Sequence, residues 1–261
     1  MAVEAPQSPA DSPKAAGSPK AADSPKAAGS LKNSRSRPWP LAFYGTAVGK
    51  KVVMAVTGII GFGYVFAHML GNLKIYLGAE ALNHYGEWLR EVGVPALPRG
   101  GFLWLARPVL LVAVILHVHA AWSLARISRR ARPARYATQD YLVANYASRT
   151  MRWGGVIVGL FIIFHLLDLT GGQANPEFVR GDIYGNVVAS FSRWPVAFFY
   201  VLANLALGLH LYHGLWSLFQ TLGFSHNRFD SWRRQFAAVF AVVITLGNIS
   251  FPLAVVLGVI G

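Results

Sequence analysis

The chain has 261 residues, 54% of them hydrophobic, with 8 Trp, 10 Tyr and 16 Phe, against roughly 45 to 50% apolar in an ordinary soluble domain; this is the composition of a membrane protein. It has no cysteine, which excludes disulfides, iron–sulfur clusters and covalent c-type haem attachment, so any metal must be held by nitrogen or oxygen. The formal charge of +13 does not point to nucleic acid, because the Lys and Arg lie in an N-terminal tail and between apolar runs, where they set membrane topology.

Residues 1–38 carry a period-six repeat: SPKAAG at 12–17, SPKAAD at 18–23, SPKAAG at 24–29, then SLKNSR. Proline in nearly every repeat forbids a continuous helix, and Ala, Ser, Gly and Lys bury too little surface to offset chain entropy. A disordered basic tail is expected, with a topogenic role or attraction to anionic lipid head groups. It has no apolar core of a signal peptide, so no cleavage is expected. Residues 39–261 form the membrane domain.

Five apolar runs follow, at about 52–73, 103–125, 153–169, 195–219 and 236–258, each able to cross a hydrocarbon core about 30 Å thick at about 1.5 Å per residue. The expected fold is all-α, with five transmembrane helices. Eight Lys/Arg precede residue 52, seven lie in 126–152 and three in 220–235, whereas 74–102 and 170–194 hold three and two that are balanced by as many acids. Positive charge on the cytoplasmic side puts the N-terminus and the second and fourth loops inside, and the C-terminus outside.

Histidine at membrane depth is a functional-site signal, and four runs each carry a candidate: His68, His117, His165 and His210. Counting helical rise from the cytoplasmic face puts His68 roughly 24 Å deep and His165 roughly 18 Å deep; His117 and His210, on helices of opposite direction, lie roughly 8 to 9 Å deep. The four thus fall at two levels, His68 with His165 and His117 with His210. Paired imidazoles facing each other across a helical bundle suit a six-coordinate haem iron, which favours electron transfer because no position is open to oxygen. Two such pairs imply two b haems with irons about 10 to 16 Å apart by the same arithmetic.

His119 lies 200° around the helix from His117 and cannot share its iron. His213, three residues after His210, shares its side and is a candidate to hydrogen-bond a propionate; by depth alone a His119 and His213 pair survives as an alternative. His84 and His226 are read as solvated loop residues. Zinc wants closely spaced ligands or carboxylates, and the helices offer only Asp168 near His165.

With these residues in place, the chain resembles the five-helix diheme cytochrome b membrane anchor of succinate dehydrogenase and fumarate reductase complexes. The motifs that carry the likeness are TGIIGFGYVFAHMLGNL around His68, LARPVLLVAVILHVHAAWSLARISRRARPARY around His117, ASRTMRWGGVIVGLFIIFHLLDLT leading to His165 and HLYHGLWSLFQTLG from His210. They span most of residues 45–225. The resemblance implies one haem ligand from each of the first four helices. It favours His117 by its distance to Ala131, Arg132 and Pro133, and His210 by the thirteen residues to Gly223. It also implies a flavoprotein and an iron–sulfur subunit docked on the cytoplasmic face, a location in the bacterial inner membrane, and a quinone substrate, usually menaquinone, near the outer haem.

Weak candidates for exchanging the quinone's protons are Glu80, Glu87 and Glu91 in the first outer loop, and Asp168. Arg107, Arg126, Arg149 and Arg152 are candidates to pair with haem propionates. Three rival readings remain. A quinol-oxidising cytochrome b of the bc type needs two histidines a dozen or more residues apart on each of two helices, a spacing missing here. A proton-coupled transporter predicts inverted repeats and broken helices, and only Asn248 and Pro252 hint at a bend. The third is a haem-free anchor.

Overall fold

The structure, a computed structural model, describes residues 38–131, 142–224 and 226–261; the side chains of 142–150 and 227 fall outside that description. The repeat tail therefore lies outside the described residues, as do Arg132, Pro133 and the side chain of Arg149. The described residues form helices joined by turns and short irregular links, with no strand among them.

A short helix α1 (Trp39–Gly45) leads into α2 (Ala47–Asn72). Thr46 ends one and starts the other: its hydroxyl accepts from the Gly49 N–H at 2.9 Å, satisfying a donor that the first helical turn leaves unpaired. Lys50 closes the corner, its ammonium donating to the Tyr44 and Gly45 carbonyls at 3.0 and 2.9 Å. A 3-10 turn (Leu73–Leu77) and helix α3 (Ala79–Glu91) then precede α4 (Gly101–Arg130). Beyond them come α5 (Leu142–Leu169), α6 (Ile183–Ser192), α7 (Trp194–Thr221) and α8 (Asp230–Val256).

Five of these, α2 with its 3-10 extension, α4, α5 from Met151, α7 and α8, are long and apolar enough to cross a membrane, the number and order read from the sequence. They run a turn or more past four of the ten apolar limits, at both ends of the first helix, the end of the second and the start of the fifth. Polar residues such as Arg129 and Arg130 in the last turn of α4 continue the helix into the interface, where cations oppose its negative end. Large apolar side chains such as Leu105, Leu160 and Leu246 stay more than 60% exposed, as lipid-facing positions must.

The segments read as outer loops are not irregular. α3 buries Leu82 and Gly86, one turn apart, so Glu80, His84, Glu87 and Glu91 stand on a helix rather than in a loop. α6 is capped by Asp182, whose carboxylate accepts from Gly185 N–H at 2.9 Å. The two helices are tied together by Asn83, which donates to Asp182 at 3.0 Å and accepts from the Ile183 and Tyr184 N–H groups at 2.8 and 3.0 Å. Gly86 lies at this crossing, where an added Cβ would meet only the Cδ1 end of the Ile183 side chain.

Two close helix pairs, α2 with α4 and α5 with α7, form the body, and α8 packs on α7 and more lightly on α2. Close approach of α7 and α8 depends on Gly208, whose added Cβ would meet Thr245 Oγ1 at 2.1 Å. The chain therefore reads as two similar halves, α2–α3–α4 and α5–α6–α7, with α8 appended. The halves repeat in the same order, unlike the inverted repeat a transporter was expected to show.

Candidate functional site

The space between the two pairs is bridged by histidine. His68 on α2 and His165 on α5 have ring centroids 5.8 Å apart, inclined at 81°. His117 on α4 and His210 on α7 stand 6.3 Å apart at 66°. With a metal–imidazole bond of about 2.0 Å and a ring radius of about 1.1 Å, two imidazoles in line across one ion hold their centroids about 6 Å apart. Both pairs have that spacing, although α2–α5 and α4–α7 are not among the close helix contacts.

Glycine makes room at the second level. A Cβ on Gly58 of α2 would come 3.6 Å from His117 Cε1, and one on Gly155 of α5 would come 3.6 Å from His210 Cε1. Each glycine lies ten residues before the histidine of its own helix, His68 or His165, which sets the two levels about 15 Å apart at helical rise. Around Gly61, Gly63 and Gly159 the space is open.

Hydrogen bonds decide which ring nitrogen is free. The Thr57 hydroxyl donates to the Val53 carbonyl at 2.7 Å and stands 3.1 Å from His117 Nδ1. Its single proton is committed, so its oxygen accepts from Nδ1–H and Nε2 keeps its lone pair. The same logic holds at His165, whose Nδ1 lies 3.3 Å from the Tyr200 hydroxyl while that hydroxyl donates to Asp168 Oδ2 at 2.9 Å. Asp168 is fully buried; it also accepts from Ser190 at 2.5 Å and pairs with Arg193 at 2.7 Å. At His68 the Asn72 amide nitrogen lies 3.1 Å from Nδ1 and 3.5 Å from Nε2.

On α7 the Nδ1 atoms of His210 and His213 and the Nε1 of Trp216 are buried without a partner among the described residues, at i, i+3 and i+6 along one side of the helix. Unpaired buried donors in this pattern suit an anionic group brought by a cofactor. Among the described residues no cluster of three or more His, Cys, Asp or Glu could hold a bare ion. Each pair offers two nitrogens, which fits an ion whose remaining ligands come from a macrocycle.

The other candidates are dispersed. His119 turns to α1, its Nδ1 2.5 Å from the Tyr44 hydroxyl, and no ring contact joins it to His213 among the described residues. Arg126 lies over the Trp122 ring at 4.6 Å, Arg107 is on α4 and Arg152 on α5. Glu87 is paired with Arg90 and with Arg99 at 2.7 Å, Glu80 is exposed, and Glu91 edges a groove with Val94, Pro95, Leu97, Pro98 and Arg99. Asp168, read as a proton-exchange candidate, has both carboxylate oxygens engaged beside His165.

Sequence reading passed over Thr57, Tyr200, Arg193 and the two glycines. The recurrence of glycine ten residues before histidine on two helices was the available signal for the glycines. No comparable signal marks Tyr200, which is joined to His165 only across helices.

Residues 126–249 match the family model described as succinate dehydrogenase/fumarate reductase transmembrane subunit, from the end of α4 into α8. The match takes in His165 and His210 and leaves out His68 and His117. No curated protein and no solved structure matches the chain. Five apolar helices long enough to span a bilayer make the chain a multi-pass membrane protein, and its residues 126–249, a little under half of it, are similar to the succinate dehydrogenase/fumarate reductase transmembrane subunit.

Proposed function

We propose that this chain is the cytochrome b anchor of a succinate:quinone oxidoreductase, carrying two b haems between an iron–sulfur subunit and a membrane quinone, with menaquinone the favoured species. His68 and His165 would hold one haem; His117 and His210 would hold the other. A bound b haem supplies a reversible one-electron couple. The observation that carries the reading is the pair of cross-bundle imidazole separations, 5.8 and 6.3 Å, reached between helices that do not otherwise pack closely.

The chain's own part is to hold four imidazoles, two of them with Nε2 freed by hydroxyl acceptors at Nδ1, and to exclude water with apolar helices. His213 and Trp216 are placed to donate to a propionate of the haem on His117 and His210. The distribution of Lys and Arg supports a cytoplasmic N-terminus and an outer C-terminus, and the family likeness supports a bacterial inner membrane. On that orientation the His117–His210 level faces the iron–sulfur and flavoprotein subunits, and the His68–His165 level lies toward the quinone. The dicarboxylate site belongs to the flavoprotein.

A reduced-minus-oxidised spectrum with haem quantification tests this. Two b haems per chain are expected, His117→Ala and His210→Ala each losing one spectral component and His68→Ala and His165→Ala each losing the other. A colourless protein, or loss of one identical component in His68→Ala and His117→Ala, refutes it.

A further inference from the structure

The two imidazoles of the His68–His165 pair are not equivalent. On one side stands a directed chain: Arg193 donates to Asp168 Oδ1 at 2.7 Å, Asp168 Oδ2 accepts the Tyr200 proton at 2.9 Å, and the Tyr200 oxygen is 3.3 Å from His165 Nδ1. The direction is forced. A carboxylate has only acceptors, a phenol has one proton, and so the Tyr200 oxygen offers a lone pair toward His165. Tyr200 is 4% exposed and set among Phe161, Phe164 and Phe191 at 5.0, 6.0 and 4.8 Å between centroids, so its hydroxyl has no freedom to turn to water.

On the other side, among the described residues, His68 has only the Asn72 amide, beside both ring nitrogens. An amide can present either its oxygen or its nitrogen, so nothing there commits His68 to one tautomer with comparable force. The second level repeats the asymmetry, with Thr57 committing His117 and His210 Nδ1 left without a partner.

We propose that Tyr200, backed by the Asp168–Arg193 ion pair, is a positioning residue that holds His165 with its proton on Nδ1 and makes it the more strongly donating imidazole of its pair. This rests on the haem reading above. An acceptor on the far N–H of a ligating imidazole raises its basicity, and the buried carboxylate behind it adds negative charge that favours the oxidised metal. The haem on His68 and His165 is therefore held at a lower potential than its ligands alone would set. Arg193 sets a positive charge against the carboxylate and fixes its direction; Ser190 donates to the same oxygen as Tyr200.

The discriminating variant is Tyr200→Phe, which keeps the ring in its aromatic setting and leaves the Asp168–Ser190–Arg193 contacts in place. Potentiometric titration of the full chain in its native membranes is expected to show one b component shifted upward. The expected change is about tenfold in the reduced-to-oxidised ratio at fixed potential, about 59 mV for a one-electron couple. The shifted component is the one His165→Ala abolishes, and the other stays where it was. Asp168→Asn, which removes the charge, shifts the same component the same way. An unmoved potential, or an equal shift of both components, overturns the proposal.

Long-range nitrogen–proton NMR of histidine-labelled protein in detergent, reduced so that any haem iron is diamagnetic, reads the tautomer directly. The expected result is His165 protonated on Nδ1 in the wild type and released from that constraint in Tyr200→Phe; a wild-type proton on Nε2 overturns the hydrogen-bond chain whether or not haem is present. A wild type without b-type absorbance refutes the function proposed above, and the NMR measurement still decides the chain.

Discussion

Gly58 and Gly155 offer the sharpest test of the bundle geometry, because each sits on the helix of one histidine and against the ring of another. A Cβ at either position would stand 3.6 Å from the Cε1 of His117 or His210, ordinary contact for two carbons, so on the haem reading proposed above Gly58→Ala and Gly155→Ala are expected to retain both proposed haems. Valine differs. Its γ carbons reach about 1.5 Å further, and in a helix its χ1 has one strongly preferred setting, which limits escape by rotation. With contact at about 3.5 Å, the ring would have to retreat by up to about 1.5 Å, against a tolerance of about 0.2 Å in metal–ligand distances. Gly58→Val and Gly155→Val should therefore deplete the same haem, the one on His117 and His210, and leave intact the one whose ligands share their helices. Haem-to-protein ratio and redox difference spectra of the four variants measure this. If Gly58→Val removes the component lost in His68→Ala, or if alanine is as damaging as valine, the packing described between α2 and α4 is refuted.

Two further outcomes concern the frame. Asn83→Ala removes three hydrogen bonds that join α3 to the start of α6, and a lost helix cap with one further bond costs about 2 to 3 kcal/mol; a lowered midpoint of unfolding in detergent is expected, and an unchanged midpoint counts against the joint. Gly208→Val drives a side chain into β-branched Thr245 at a position where even Cβ would lie 2.1 Å from its Oγ1, whereas Gly247→Ala meets the Met69 sulfur at 2.3 Å. Because methionine repacks with little cost, Gly247→Ala should assemble nearly as the wild type does and Gly208→Val should not, as judged by yield of the folded subunit.

What could be read from the sequence follows from where the signal lives. Five membrane-crossing helices are local facts, written in runs of apolar residues longer than about 18, and each was placed correctly. The matching of His68 with His165 and of His117 with His210 followed from depth, since rise along a helix converts residue number into height. The helical form of 79–91 and 183–192 was missed because each is short, and what holds them is non-local: Asn83 lies about a hundred residues from the N–H groups it caps. The same is true of Tyr200, whose partners His165 and Asp168 are more than thirty residues away on another helix. The pairing of Glu87 with Arg90 and Arg99 depends on a residue twelve positions away and is not written in the local pattern. Asp168 looked like an end-of-helix acid, and only its packing reveals it as the buried end of a hydrogen-bond chain.

The two-half architecture gives the connecting helices a role beyond tethering. Each imidazole pair takes one ring from each half, α2 with α5 and α4 with α7, so neither half closes a pair by itself. What keeps the rings about 6 Å apart is whatever holds half against half, and that is only partly the transmembrane helices, which pack closely within halves rather than between them. The bridge is made by the direct contact of α2 with α7, by the Asn83–α6 joint beyond the His68 and His165 level, and by α8, which contacts α2 from one half and α7 from the other. α8 carries no histidine, yet through Gly208 and Gly247 it lies tight against Thr245's partner helix α7 and against Met69 of α2, immediately beside His68 in sequence. A helix outside the histidine quartet is thereby coupled to the spacing within it, so a substitution that loosens α8 should widen the pairs before it unfolds the bundle.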